Sequence, residues 1–295
     1  MKRHAYLILA HNNFNQLKKL VKLLDDPRND IFIHIDGKAR FNDEGWDRIC
    51  THSKLTLLKK RINVRWGGTS IMRSELALLK ESTASGEYAY HHLLSGMDLP
   101  IKDQDTIHEF FDRNDGKEFL DYWDPGPDII DRVIWYTPFN EMEHNFIFHA
   151  INKACRNCQR LAGRQINRDI DFKYASQWFS ITDSLARYVT SREEWLDKTF
   201  RHTTICDEIF LPTIVWDSPF KNNIFGMENG IQPGNGNMRF IDWSRGGNRR
   251  HPWTFRNDDW ELLMGVPHLW ARKFNEKTDN EIIERIYRKF TKGNS

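Results

Sequence analysis

Two adjacent acidic residues, Asp207 and Glu208, stand immediately before the apolar run IFLPTIV. Carboxylates are rarely buried without partners, so their position at the start of a buried segment needs an explanation. The structural explanation is that acids near a helix start accept hydrogen bonds from free backbone N–H groups and stabilise the helix dipole. The chemical explanation is that one acid caps the helix while its neighbour points into a cleft as a general base. The pair taken alone fits both.

A second group of polar residues follows apolar runs that have the length of buried β-strands. His11 follows AYLILA. Asp36 is the last residue of IFIHID, and Lys38 lies two residues after it. Asp98 follows YAYHHLLS. In an open parallel sheet, ligands bind at the carboxyl ends of the strands. We therefore predict a nucleotide site here, in which a carboxylate accepts hydrogen bonds from ribose or base; the alternative is that Asp36 is only a turn residue before Gly37. Neither GxGxxG nor GxxxxGK[ST] occurs, which argues against dinucleotide and P-loop sites.

Cationic residues cluster in two stretches near the C-terminus. Arg245, Arg249 and Arg250 lie in the glycine-containing loop SRGGNRRHPW, and Arg272 and Lys273 lie in WARKF. Glycines beside arginines allow a loop to close around an anion, which Arg grips with a planar fork and Lys attracts as a point charge. These residues are either a solvated surface or, beside a nucleotide pocket, the groups that neutralise a diphosphate.

The elements that position these residues alternate in type along the first half of the chain. A strand-like run at 5–10 is followed by helical spacing at 13–24 and a second strand at 31–36. Strand, helix and strand within about forty residues form a βαβ unit and predict a mainly parallel sheet flanked by helices. The second half is less regular, with predicted helices at 143–161 and 280–290 and a short strand at WFSIT. We see no linker and predict one α/β domain over 1–295.

Composition excludes several classes of protein. The formal net charge of +2 is too small to indicate a nucleic-acid partner. No stretch approaches the ~20 apolar residues of a membrane span, and AYLILA is too short for a signal peptide. The four cysteines do not form a disulfide framework, and Cys155-x-x-Cys158 lacks the second pair that a zinc site would need. These features predict a reducing cytoplasm.

Six segments of the chain, in order, resemble the motifs of one known protein family. The first motif spans AYLILAHNN and FIHIDGKA together. The other five are VRWGGTSIMRSELALL, HHLLSGMDLPIK, ASQWFSITDSLARYV, CDEIFLPTIV and TFRNDDWELLMGVPHLWARKF, and the six run from residue 5 to about 275. The family contains the core-2/I-branching β-1,6-N-acetylglucosaminyltransferases and the peptide O-xylosyltransferases, which are the family 14 glycosyltransferases. Any one motif is weak evidence, whereas six in order are specific.

The resemblance implies a GT-A-like fold in which a nucleotide-binding half, about 1–125, joins an acceptor and catalytic half, about 126–295. It implies an inverting transferase without the metal-binding DxD motif, so we expect no metal and no cofactor beyond a UDP-sugar, with GlcNAc or xylose as the main choices. Lys273 matches the clamp lysine that neutralises the departing UDP. Arg250 is the first choice for the clamp arginine, with Arg245 and Arg249 as alternatives.

By the same resemblance Glu208 is the catalytic base and Asp207 the cap. Adjacent residues at a helix start diverge by ~100°, so they rarely flank one bond as the two carboxyls of a retaining glycosidase do. Two other hypotheses stay open: a non-catalytic protein on the same fold that binds glycans or nucleotide sugars, and a glycoside hydrolase. The remaining predicted contacts are His11, Asp36, Lys38 and Trp66 with the donor, Trp66 against the uracil, and Trp243 and Arg245 with the acceptor.

Eukaryotic relatives carry a membrane anchor and disulfides, and we expect neither in this chain. The expectation is a bacterial-type enzyme in the cytoplasm, acting on a glycan or lipid-linked acceptor. A peripheral contact with the inner face of the membrane stays open, since two basic patches could attract anionic lipid or could simply be solvated. The patches comprise Lys18, Lys19 and Lys22, and Arg285, Arg288, Lys289 and Lys292.

Overall fold

The computed structural model describes residues 3–142, 145–227, 235–246 and 251–291. Its centre is a five-stranded sheet, accompanied by a three-stranded and a two-stranded sheet. The strands are β1 (His4–Ala10), β2 (Asn29–Ile35), β3 (Lys54–Leu57), β4 (Tyr90–Ser95), β5 (Asp98–Pro100), β6 (Tyr122–Trp123), β7 (Tyr174–Ala175), β8 (Ser180–Thr182), β9 (Arg239–Ile241) and β10 (Trp270–Arg272).

The helices pack on both faces of the central sheet and along its edges. Short 3₁₀ turns join several of them, including one at Cys206–Glu208. The α-helices are α1 (Phe14–Leu23), α2 (Ser70–Ser85), α3 (Gln104–Arg113), α4 (Pro127–Ile134), α5 (Phe146–Leu161), α6 (Asp183–Ser191), α7 (Glu193–Phe200), α8 (Phe210–Trp216), α9 (Trp260–Gly265) and α10 (Asn280–Thr291).

The central sheet has the strand order β3-β2-β1-β4-β8. Its first four strands are parallel to their neighbours, and β8 is antiparallel to β4. Every residue of β2 and β4 is buried, because helices cover both faces of a parallel sheet and leave no face for polar alternation. The predicted α/β class with a mainly parallel sheet is therefore confirmed.

Two hydrophobic clusters form the core, one on each face of the sheet. Successive residues of β1 point to opposite faces, so Ala5 and Leu7 join one cluster while Tyr6 and Ile8 join the other. The first cluster includes residues of α2, α6 and α8, and the second includes residues of α1, α3 and α10. The helical spacing predicted at 13–24 thus reflects a real buried stripe.

The second half of the chain supplies strands to the sheets of the first half. The predicted WFSIT strand is confirmed as β8, which pairs with β4, and β10 pairs with β5 and β9. The C-terminal helix is confirmed as α10. The long helix predicted at 143–161 is confirmed from Phe146 onward, and residues 143–144 lie outside the described ranges.

The N-terminus of α2 is capped by an acid from a distant part of the chain. Thr69 precedes the helix without making a side-chain cap. Instead, Glu141 Oε1 accepts hydrogen bonds from Ser70 N at 2.8 Å and Thr69 Oγ1 at 3.0 Å. A Cβ on Gly68 would lie 2.4 Å from Glu141 Oε2. The glycine therefore leaves the space through which this carboxylate reaches the free N–H groups of the helix.

Gly68→Ala should lower the free energy of unfolding by about 1–2 kcal/mol, because the added methyl displaces the capping carboxylate of Glu141. Urea titration measures the change. Gly265→Ala is the matched control, since a Cβ at Gly265 meets no atom within 4 Å. Equal urea midpoints for Gly68→Ala and the unchanged protein would contradict this account of the cap.

Candidate functional site

A cleft of about 380 Å³ opens at the carboxyl ends of β1, β2 and β4. It lies where open parallel sheets bind their ligands, because the strand ends present side chains and backbone groups that no helix covers. The structure places four of the predicted donor residues on its wall. The wall includes His11, Asp36, Lys38 and Trp66, together with His34, Ser95, Gln177, Trp178 and Arg272.

Asp36 forms a polar corner of the cleft with Lys38. Its Oδ1 accepts hydrogen bonds from Lys38 N at 2.8 Å and Val64 N at 3.4 Å, and its Oδ2 lies 3.6 Å from Lys38 Nζ. Trp66 is 67% exposed, and an exposed indole ring at a cleft can stack on a flat ligand. Burial lowers the pKa of His34 to about 4, so this ring is neutral near pH 7. The roles of these residues in ligand binding remain predictions.

Asp98, predicted to contact the nucleotide, is fully buried and does not lie on the cleft wall. It accepts hydrogen bonds from Ser95 N at 2.8 Å and from Arg272 Nη1 at 2.7 Å. β5 and β10 pair antiparallel with Asp98 directly opposite Arg272, which explains the contact. Burial raises the pKa of Asp98, and Arg272 acts in the opposite direction. The geometry makes Asp98 the residue that holds Arg272 in place.

Arg272 is a fixed cation on the cleft wall. The sequence named it among the cations that could neutralise a diphosphate, but the resemblance assigned the clamp to Lys273 and Arg250 instead. Its guanidinium lies 4.3 Å from the ring centroid of Trp178, another wall residue, and is therefore held by one carboxylate and one aromatic face. Lys273 follows it and is half-buried; burial lowers its pKa, and the charge of Arg272 lowers it further. The WARKF segment was the available sequence signal, and the resemblance gave the clamp role only to its lysine.

The loop after β9 carries the other predicted cations. Arg245 lies between two carboxylates, 2.6 Å from Asp242 Oδ2 and 2.5 Å from Asp259 Oδ1, and packs on Trp253. Its charge is already balanced, so the structure gives it a loop-stabilising position. Trp243 is 50% exposed and does not line the cleft. Arg249 and Arg250 lie outside the described residues.

Glu208 ends a 3₁₀ turn that is attached to the cleft wall. Ile205, just before this turn, has φ 48°, a left-handed conformation that β-branched residues rarely adopt. Its N–H donates to the carbonyl of Gly67 at 2.9 Å, beside the Trp66 of the cleft. The Glu208 carboxylate accepts a hydrogen bond from Arg132 Nη1 at 2.9 Å. Tyr174 lies near it: burial, followed by the charge of Glu208, raises the pKa of the Tyr174 hydroxyl. Sequence reasoning missed Arg132 and Tyr174, because contacts between distant segments leave no local pattern.

The prediction that Asp207 caps the following helix is wrong. That helix, α8, begins at Phe210 after Ile209 and has no side-chain cap, because the 3₁₀ turn separates Asp207 from its free N–H groups. Asp207 is buried instead, and its Oδ1 has no hydrogen-bond partner in the described structure. Burial, followed by the charge of Glu208, raises the pKa of Asp207 to about 7.

A second buried acid, Glu75 of α2, supports the cleft wall from behind. It is fully buried, and its Oε1 accepts a hydrogen bond from Gln177 Nε2 at 2.7 Å. Burial and then the charge of Asp207 raise the pKa of Glu75 well above its usual range. Burial therefore favours the protonated form of Glu75, and its carboxyl group orients Gln177, an amide that lines the cleft.

Among the described residues, no three His, Cys, Asp or Glu side chains come together as a group that could hold a metal ion. The four cysteines are free thiols. Within the same ranges, no helix is both long enough and apolar enough to cross a bilayer. Metal independence and localisation stay predictions.

A parallel sheet with an aromatic ring, a carboxylate and a fixed cation at its strand ends defines a ligand-binding α/β protein suited to a nucleotide-type ligand. The sequence profile of the "Core-2/I-Branching enzyme" family matches residues 4–264. The chain belongs to this family, as the six segments predicted.

Curated relatives include xylosyltransferase 2 of Rattus norvegicus, which is 25% identical over an alignment of 301 positions that covers 96% of this chain and 33% of that protein. Xylosyltransferase sqv-6 of Caenorhabditis elegans is 22% identical over 94% of this chain and 35% of that protein. The chain thus spans about a third of the length of these relatives. The crystal structure of mouse xyloside xylosyltransferase 1 in its apo form covers 75% of this chain and 83% of its own, with 10% identity and a TM-score of 0.33, too low to support an argument.

Asp207→Asn should make stability less dependent on pH. The folded-state pKa of Asp207, about 7, lies above its ordinary value of 3.8, so the folded state holds the proton that the unfolded state releases. Its contribution to the free energy of unfolding is present in full below pH 3.8 and is lost as the pH rises toward 7, at about 1.4 kcal/mol per pKa unit.

Urea titrations across this pH range test the prediction, with exposed Asp43→Asn as the matched control. We expect a shallower loss of stability with rising pH in Asp207→Asn than in the control. Parallel curves for the two variants would contradict a protonated Asp207.

Proposed function

We propose that the protein is an inverting glycosyltransferase that moves a sugar from a UDP-sugar to a glycan hydroxyl and forms a β-linkage. Family membership supports transferase chemistry, and the cleft at the strand ends supports a nucleotide donor. Two observations carry the proposal. A fixed cation, Arg272, lies on the cleft wall, and a single oriented carboxylate, Glu208, ends a turn that is hydrogen-bonded next to Trp66 of that wall.

The donor half of the proposal follows from the cleft wall. Trp66 stacks on the uracil, and Asp36 accepts hydrogen bonds from the ribose. Arg272 and Lys273 neutralise the charge that develops on the departing diphosphate, without a metal ion. Burial lowers the pKa of Lys273, so an anion that pairs with it favours its charged form.

The donor sugar is xylose or GlcNAc. The matched relatives are named xylosyltransferases, which favours xylose, while the family's branching enzymes favour GlcNAc. For the acceptor, the rings of Trp123 and Tyr174 lie 5.7 Å apart beside Glu208, and Trp123 is 42% exposed. Aromatic faces of this kind pack on sugar rings, so the acceptor glycan, whether free or lipid-linked, lies on this side of Glu208, with Trp243 as the other predicted contact.

Glu208 acts as the general base. Inversion requires one carboxylate to take the proton of the acceptor hydroxyl. At the same time the hydroxyl oxygen attacks C1 of the sugar from the face opposite UDP. Arg132 holds one oxygen of this carboxylate, and the other oxygen takes the proton of the acceptor. The neighbouring Asp207 is buried and protonated near neutral pH, so it does not compete for the role.

Glu208→Gln should lower acceptor-dependent UDP release by about 10²–10⁴-fold, because the amide cannot take the proton, while UDP affinity stays unchanged. A screen of UDP-sugars with glycan acceptors measures release, and calorimetry measures UDP binding. Exposed Glu81→Gln is the control. Equal release by Glu208→Gln and the control would overturn the base assignment. If the unchanged protein bound UDP but released none from any pairing of UDP-sugar and acceptor, the result would favour a non-catalytic binding protein.

A further inference from the structure

Helix α5 turns its apolar side toward solvent. The helical period places Phe146, Ile147, Ile151 and Leu161 within an arc of about 140°. Their exposures are 86%, 64%, 42% and 90%. Ala150, Ala154 and Cys158 fall on the same arc and are exposed as well. A surface helix normally buries this stripe, so the arrangement is the reverse of the usual one.

The side of α5 that faces the protein is polar. Asn152 is its one buried residue in the described structure, and its side-chain amide exchanges two hydrogen bonds of 3.1 Å with the backbone of Phe139. Gln159 does the same with the backbone of Tyr136, at 2.9 and 2.8 Å. These paired amide contacts fix the rotation of the helix, so the outward orientation of the apolar stripe is built in rather than the result of loose packing.

Cations border the apolar stripe. Residues 145–168 contain five Lys and Arg residues, Lys153, Arg156, Arg160, Arg164 and Arg168, and no Asp or Glu. On the helical wheel, the first three lie along one edge of the stripe, where Arg160 pairs with Asp131 at 2.6 Å. An exposed apolar stripe with a cationic border is the pattern of helices that lie in the interface of an anionic membrane. A second copy of the same acid-free helix would instead bring like charges together.

The basic patches considered from the sequence differ from α5. α1 and α10 bury their apolar residues against the core and place their cations on the solvated side. Lys19 of α1 pairs with Glu284 of α10 at 2.7 Å. Lys292 lies outside the described residues. These two helices show the ordinary arrangement, which makes the reversed one in α5 specific.

The apolar surface of α5 continues toward the cleft. A groove of about 740 Å³ is lined by Phe148 at the start of α5, by Met142, and by Arg65, Trp66 and Lys38. Trp66 and Lys38 also belong to the cleft wall. A surface lying on α5 would therefore meet the open end of the groove beside the cleft.

We propose that the exposed face of α5 is a docking surface for an anionic lipid membrane, with Phe146 and Ile147 entering the headgroup region and the Lys and Arg border binding lipid phosphates. Docking places the groove at the membrane surface, where a lipid-linked acceptor would reach it. This last step rests on the proposed function, whereas membrane docking itself does not.

Co-sedimentation with vesicles tests the docking. The unchanged protein should bind vesicles of phosphatidylglycerol and phosphatidylcholine, more weakly as salt is added, and should not bind phosphatidylcholine alone. Phe146→Ser/Ile147→Ser and Lys153→Glu/Arg164→Glu should each weaken binding at least roughly tenfold. Leu262→Ser, at another exposed apolar residue, is the control and should bind normally.

The outcomes separate docking from the other readings. No binding of the unchanged protein to anionic vesicles would overturn the proposal, as would equal binding by the α5 variants. A dimer in sedimentation analysis that dissociates in Phe146→Ser/Ile147→Ser, without vesicle binding, would assign the face to a second copy. UDP release with a water-soluble acceptor should not change in the α5 variants, so failure of the proposed transferase activity would be visible separately.

Discussion

The ion pair between Asp98 and Arg272 is the interaction on which the candidate site depends. Two short strands, β5 and β10, pair in the described structure and bring these residues opposite each other. Asp98 is buried, and Arg272 lies at the cleft. Burying a carboxylate is costly, and Arg272 together with the Ser95 N–H offsets that cost. The result is a guanidinium whose position is fixed before any ligand arrives, which is the property that electrostatic catalysis requires.

A second set of contacts joins the turn that carries Glu208, in the second half of the chain, to the cleft formed by the first half. Glu141 caps α2. Ile205, whose backbone has a strained left-handed conformation, donates a hydrogen bond from its N–H to the carbonyl of Gly67. Strain of this kind persists only where surrounding contacts enforce it. The turn that ends in Glu208 is therefore held against the cleft wall, and Arg132 sets the direction of its carboxylate. The site is built from segments far apart in sequence, and its geometry depends on the packing of both halves.

Sequence patterns predicted the features that are local. Continuous apolar runs identified the parallel strands, and the rule that ligands bind at strand ends placed Asp36 and Lys38 on one cleft wall with His11. Helical spacing identified α5 but not the side that faces the protein, because two amides rather than apolar residues determine its rotation.

Features that depend on partners were missed or misassigned. Asp98 looked like a ligand contact because nothing in its own segment names Arg272 as its partner. Asp207 looked like a cap because the 3₁₀ turn between it and α8 has no sequence signature. Arg245 looked available for a ligand, although Asp242 and Asp259 already balance its charge. The contacts of Asp98 and Arg245 join side chains that the fold, and not the local sequence, brings together.

The central claim is that Arg272 is a preset clamp for a diphosphate, and calorimetry with UDP and uridine tests it most directly. Arg272→Met should weaken UDP binding by roughly 10–100-fold, the value of a charge-assisted hydrogen bond, and leave uridine binding unchanged. Arg245→Met, which removes a cation already paired with two carboxylates, should leave both affinities unchanged. Equal losses for UDP and uridine in Arg272→Met, or no loss for UDP, would contradict the account.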